Sequence, residues 1–335
     1  MSQTNLKKPR MMRKKEAYVF DYDEAVEFSD QQNSIFWLPD EIDVEKDVQD
    51  IKVNMTEAES HGVITTLKLF TLYELHAGTE YWGKRVVEAF PRPCIIKMAN
   101  SFSFFELNVH APFYNKLNEA LGINTDEFYL SYKKDPTLKA RMKKVEKIIS
   151  GTKDSYKSLL MSLAGFSFIE GVVLYSAFAF LKHFQSEGKN KIINVVSGIN
   201  FSVRDENLHA LGGAWLFRTL LKELEEEGHK IDKKKLHKQI LEMAETLRGH
   251  EGLIVDMIFE KGNIRGITPH QLKQFIESRI DLCLENLGYE KVYKPKYNPI
   301  GEWFYDAINS VQFHDFFAKV GNEYNRDWDD NKFTW

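Results

Sequence analysis

Cysteine is nearly missing from this 335-residue chain: only Cys94 and Cys283 occur. Both sit in patterns that read as buried helical faces, so neither a disulfide framework nor a thiolate metal site is expected. Any bound metal would have to use oxygen and nitrogen donors. Strict apolar-polar alternation bounded by glycine-rich turns is also missing, which leaves little room for strands. No apolar run is long enough to span a bilayer. The longest, Gly171 to Leu181, opens directly after Glu170 and is too short. Net charge is small, with 45 Lys and Arg against 49 Asp and Glu giving -4, so general affinity for nucleic acid is not expected. The one basic run, Lys7, Lys8, Arg10, Arg13, Lys14 and Lys15, reads as a solvated terminal arm. No apolar segment of the secretory kind follows it, and the chain reads as cytoplasmic, with no membrane contact.

Helix punctuation is abundant. Thr56 with Glu59 makes a capping-box signature, and apolar residues recur at helical spacing from Val63 to Phe90, where Pro91 ends the pattern. Further helices are predicted from Pro93 to Leu121 and Gly122, interrupted at Pro112, and from Pro136 to Gly151. The most apolar helix runs from Lys153 to Gly188. Others follow from Asn190 to Gly228, from Asp232 to Gly262 and from Thr268-Pro269 to Gly288. Long helices with short connectors imply an all-α bundle with one large core.

Carboxylates inside the most apolar helices carry the chemical information, because burying one costs several kcal/mol unless it is paired or bound to metal. Glu74, Glu106, Glu170 and Glu206 each fall on a different predicted helix. Glu206 and His209 are three apart and Glu106 and His110 four apart, and at roughly 100° per residue either spacing puts carboxylate and imidazole on one face. Alone, a Glu-x-x-His occurs by chance on many exposed helices, and a lone buried Glu is usually an ion-pair partner. Taken together, the order Glu, Glu/His, Glu, Glu/His is the pattern of a ferritin-like dimetal bundle. Four carboxylates would balance two divalent cations, and the donor set suits iron or manganese.

Several stretches resemble the small subunit of class I ribonucleotide reductase. They are Ser34 to Asp43 around Phe36-Trp37, Glu170 to Phe180, Arg204-Asp205-Glu206-Asn207-Leu208-His209, Asn298-Pro299-Ile300 and Phe316 to Arg326. The resemblance implies residues 1–30 as an N-terminal arm, partly flexible, 31–320 as the dimetal helical domain, and 321–335 as a flexible tail docking on a large subunit. It makes Glu74, Glu106 and His110 ligands of one metal and Glu170, Glu206 and His209 ligands of the other. The pair would be di-iron first, with Mn/Mn or Mn/Fe as alternatives. Tyr114 matches the tyrosine oxidised to a stable radical, screened from water by Leu174, Phe178 and Ser202. Trp37, Asp205 and Tyr324 match a relay to the large subunit, with Asp205 orienting His110. A homodimer is implied as well. An R2-like oxidase of a small ligand and an iron-binding ferritin-like protein are the rival readings.

The chain departs from this pattern at one ligand. The family's Glu-x-x-His would put its glutamate at Leu107, yet the glutamate is Glu106. Pro112 cannot donate to the carbonyl of Asn108, and this invites a kink or π-bulge that would turn Glu106 inward. Glu74 stands where many members carry aspartate.

Overall fold

The structure, a computed structural model, describes residues 6–150 and 155–304. Among these residues there is no strand, only an isolated bridge between Ile264 and Ile267. Numbering only helices of eight residues or more, α1 spans Asp23–Ser34, α2 Glu57–Leu75, α3 Pro93–Phe105, α4 Ala111–Leu121 and α5 Pro136–Ser150. The chain continues through α6 (Tyr156–Phe168), α7 (Tyr175–Lys182), α8 (Ile193–Glu226), α9 (Lys233–Ile258) and α10 (Pro269–Asn286). Three of these rods contain wide π turns. One runs on from α2 over His76–Val86, one joins α3 to α4 over Glu106–His110, and one joins α6 to α7 over Ile169–Val173.

Local chemistry sets the helix ends. The Thr56 amide donates to Glu59 Oε2 at 2.8 Å and the Glu59 amide to Thr56 Oγ1 at 3.3 Å, the reciprocal pair that satisfies two orphan donors at a helix start. Thr268 and Gln271 repeat the device on α10. Pro93 opens α3, and Gly122, at φ 73°, ends α4 in a left-handed conformation that costs glycine little. The wide turn at 106–110 lies where Pro112 was expected to disturb the ladder. Those at 76–86 and 169–173 have no proline to announce them.

Helix α8 runs through the centre, packed on α6, α7 and the 169–173 turn, while α1 covers α3 and α9 packs on α10 and α2. The expected arm boundary at residue 30 falls inside α1, whose Ser29 and Gln32 are fully buried. Ahead of α1, Met11 is buried and its amide donates to Glu223 Oε2 at 2.7 Å. Contrary to the expectation that no apolar run could span a bilayer, the helical segment Tyr156–Ser186 is long and apolar enough to do so, but its most apolar stretch is wholly buried within the bundle.

One buried group away from the centre ties stability to pH. His183 lies under the rings of Phe180 and Phe184, its Nδ1 on the Phe180 carbonyl and its Nε2 without a partner. Burial pulls its pKa down from 6.5 to about 4, with the Phe180 bond and the charges of Lys189, Glu59 and Lys191 acting as smaller influences. The unfolded chain takes up this proton near 6.5 and the folded chain only near 4. The contribution is therefore complete above pH 6.5 and lost as pH falls toward 4, roughly 3 kcal/mol in all. Urea unfolding between pH 4 and 7 should show His183→Asn losing less stability than the parent on acidification. Parallel curves would exclude this linkage.

Candidate metal centre

The four carboxylates and two histidines singled out from the sequence meet in the interior, each at most 2% exposed. Glu74 comes from the end of α2, Glu106 and His110 from the two ends of one wide turn, Glu170 from the second residue of another, and Glu206 and His209 from the middle of α8. The widened turn resolves the spacing problem at Glu106. With one residue more than an α turn, it brings Glu106 and His110 to the same point, His110 Nδ1 lying 3.3 Å from Glu106 Oε2.

The donors fall into two overlapping sets. Glu74, Glu106, His110 and Glu206 form one, and Glu106, Glu170, Glu206 and His209 the other, each with donor atoms within 4.8 Å of one another. Glu106 and Glu206 belong to both, so they stand between the two positions. Glu74 with His110, and Glu170 with His209, stand at the ends. His110 Nδ1 is 3.5 Å from Glu74 Oε2 and 3.3 Å from Glu206 Oε1. His209 Nδ1 lies 2.6 Å from Glu106 Oε1 and 3.8 Å from Glu206 Oε2.

These residues fit a pair of divalent cations. Glu74 Oε1, Glu106 Oε1, both Glu206 oxygens and His209 Nδ1 have no hydrogen-bond partner, although all are buried, where an unpartnered polar atom is costly. His209 Nδ1 and Glu106 Oε1 approach to 2.6 Å as an ion-pair contact, and both belong to the same donor set. The same burial sets how tightly the donors hold protons. Burial pushes Glu74 and Glu170 well above the usual carboxylate range, reinforced by the charge of Glu106 on the first and of Glu206 on the second. Burial acts the same way on Glu106, but the bond from Glu74, the charge of His209 and the contact with His110 outweigh it and hold its pKa low. His110 is driven up against its own burial by Asp205 and by Glu106, Glu206 and Glu74. Metal loading would displace such protons.

Around the donors lies a buried hydrogen-bond loop. Asp205 Oδ2 takes His110 Nε2 at 3.0 Å and Trp37 Nε1 at 2.9 Å. Asp205 Oδ1 takes the amide of Gln32 at 3.0 Å, and the Gln32 carbonyl takes His209 Nε2 at 3.0 Å. Each imidazole thus donates through Nε2 and turns Nδ1 toward the centre. Gln32 was not anticipated, because α1 is polar enough to read as a surface helix. Trp82 was missed too. It lies in the 76–86 wide turn and donates to Glu170 Oε1 at 2.7 Å.

Tyr114 is completely buried and stacks on Phe70 at 4.3 Å, which stacks in turn on Phe178 at 5.3 Å. Its hydroxyl has no hydrogen-bond partner. Burial, with the charge of Glu74 second, raises its pKa well above the usual range. Leu174 and Ser202 are buried as well, and Trp37 is buried between exposed Phe36 and Leu38. Tyr324 and the 321–335 tail lie outside the described residues.

A long-helix bundle carrying four inward carboxylates and two imidazoles in overlapping sets defines a ferritin-like protein built for a dimetal site. A family model, ribonucleotide reductase small chain, matches residues 14–299, and the chain belongs to that family. It is 27% identical over 308 residues to a ribonucleoside-diphosphate reductase subunit beta of Halalkalibacterium halodurans, covering 89% of this chain and 85% of that one. Its fold matches the ribonucleotide reductase R2 subunit from Clostridium botulinum with a TM-score of 0.73 at 19% identity, covering 86% of this chain and 88% of that one. It also matches the dimanganese(II)-NrdF of Streptococcus sanguinis with a TM-score of 0.70 at 20% identity, covering 86% and 97%. The chain is a small subunit of class I ribonucleotide reductase, an oxidoreductase component that pairs with a large subunit.

Proposed function

We propose that Glu74, Glu106, His110, Glu170, Glu206 and His209 hold two divalent ions, iron first and a manganese or mixed pair as alternatives, and that Tyr114 is oxidised beside them to a stable radical. The observation that carries this is the convergence of six buried donor residues, four of them with unpartnered atoms, tied by Asp205 to Trp37. When bound, the ion pair supplies the oxidising power by reacting with oxygen or a reduced oxygen species. Tyr114 would give up one electron and its phenolic proton to that oxidant, leaving a neutral phenoxyl radical. Its dry setting against Phe70, which stacks in turn on Phe178, with Ser202 beside it and Leu174 buried as well, keeps water from quenching what is left.

Asp205 holds the indole N–H of Trp37 and the imidazole of His110 on one carboxylate. It is placed to accept the indole proton when Trp37 passes an oxidising equivalent outward. From Trp37 the equivalent continues through Tyr324 to the large subunit, which reduces ribonucleotides to deoxyribonucleotides. Residues 321–335 form the docking tail. The subunit works as a homodimer in the cytoplasm. The curated relative acts, by its name, on ribonucleoside diphosphates, and diphosphates are the substrates assigned here.

The decisive experiment mixes the metal-loaded chain with a class I large subunit and follows deoxynucleotide formation from a ribonucleoside diphosphate. Turnover that requires both proteins is expected. None above the large subunit alone would refute the assignment.

A further inference from the structure

Two buried arginines grip the turn that carries Glu170. The carbonyl of Gly171 accepts Arg279 Nε at 2.9 Å, and the carbonyl of Val173 accepts a terminal nitrogen of Arg141. Arg279 belongs to α10 and Arg141 to α5, and they are 2% and 3% exposed. A buried guanidinium is costly unless it is compensated. Arg141 is neutralised by Glu251 at 2.8 Å, whose other oxygen takes Ser176 Oγ at 2.9 Å. Arg279 lies over the ring of Tyr175, 3.6 Å from its centroid. Each arginine therefore holds a carbonyl of the wide turn together with a residue at the start of α7.

Insertion of a side chain at helix carbonyls is one of the few identifiable causes of a distorted ladder. Here the insertion falls on the turn that aims a candidate ligand. A Cβ on Gly171 would sit 2.3 Å from Cys283 Sγ, so α10 packs straight onto the turn with no side chain between. The Glu170 carboxylate is fixed at its tip by Trp82, and its peptide is fixed by the guanidinium groups. Relaxation to a regular α register would rotate one flank against the other by about 100°, the angle of one residue, and swing the carboxylate away from Glu106, Glu206 and His209.

We propose that Arg279 and Arg141 are positioning residues for the metal centre, holding the 169–173 turn in its wide register so that Glu170 can reach the ion on the His209 side. This rests on the two-metal reading above. Arg279→Met, and Arg141→Met combined with Glu251→Gln so that no buried charge is left unpaired, should each bind about one Fe(II) per chain where the parent binds two. Affinity for the lost ion should fall at least tenfold. Mössbauer spectra of the 57Fe-loaded variants should lack one quadrupole doublet and keep the other. In the metal-free proteins, amide exchange should quicken across residues 169–178 and stay at parent rates in α8. Arg279→Lys keeps the charge and one donor, and should recover part of the affinity. It also stands in as the test if Arg279→Met does not fold, with iron affinity expected between those of the parent and a one-ion protein. Parent-like affinity for both ions in the folded variants, with parent-like exchange at 169–178, would overturn the proposal. A parent chain that itself binds fewer than two ions would overturn the two-metal reading instead.

Discussion

Replacing Glu106 by glutamine is expected to strip the protein of both ions and to lower deoxynucleotide formation with a large subunit by about a hundred- to a thousandfold. That is the scale reached when one member of a preorganised charge-stabilising set is removed. Glu106 belongs to both donor sets, so its loss weakens each position at once. It also withdraws a negative charge from a group whose four carboxylates match two divalent ions. The substitution is nearly isosteric, which keeps the 106–110 turn filled and separates charge from packing. Metal analysis and turnover are the measurements. A Glu106→Gln chain that still carries two ions and full turnover would show that the centre does not rest on this side chain.

Tyr114→Phe should act in the opposite way, abolishing activity while leaving the metal and the fold in place. The ring would keep its stack on Phe70, so no cavity opens. The hydroxyl removed is a buried one without a partner, and its loss should leave stability unchanged or raise it by about 1 kcal/mol. Two ions should still bind. The tyrosyl EPR signal should vanish, and turnover should fall to the background of the large subunit. Full turnover in the variant would mean that the metal cluster, not the tyrosine, stores the oxidant.

Much of this architecture was legible because the chain marks its helix ends with side-chain chemistry. Thr56 with Glu59, Thr268 with Gln271, Pro93 and Gly122 each act locally, within three or four residues. The ligand candidates were legible for a different reason: a carboxylate flanked by Phe168-Ile169 and Gly171-Val172 has few places to go but a paired or metal-bound site. The misplaced Glu106 became informative only alongside Pro112, since a proline predicts where a ladder fails. What stayed hidden depends on neighbours distant in sequence. The turns at 76–86 and 169–173 lack a proline, and at the second the contacts come from Arg279 and Arg141, more than thirty residues away in one case and over a hundred in the other. The sharing of Glu106 and Glu206 between both donor sets was also out of reach, because spacing assigns a side chain to a face but not to one of two ions across it. Gln32 was hidden because a glutamine on a polar helix gives no sign of the Asp205 and His209 groups it will meet.

The wide stretch following α2 has a mechanical consequence. One continuous rod offers Glu74 to the first donor set and, eight residues on, the Trp82 indole to Glu170 of the second. Sliding or rolling that rod would disturb both halves of the centre together. A displacement of that one segment would therefore be felt at Glu74 and at Glu170 together.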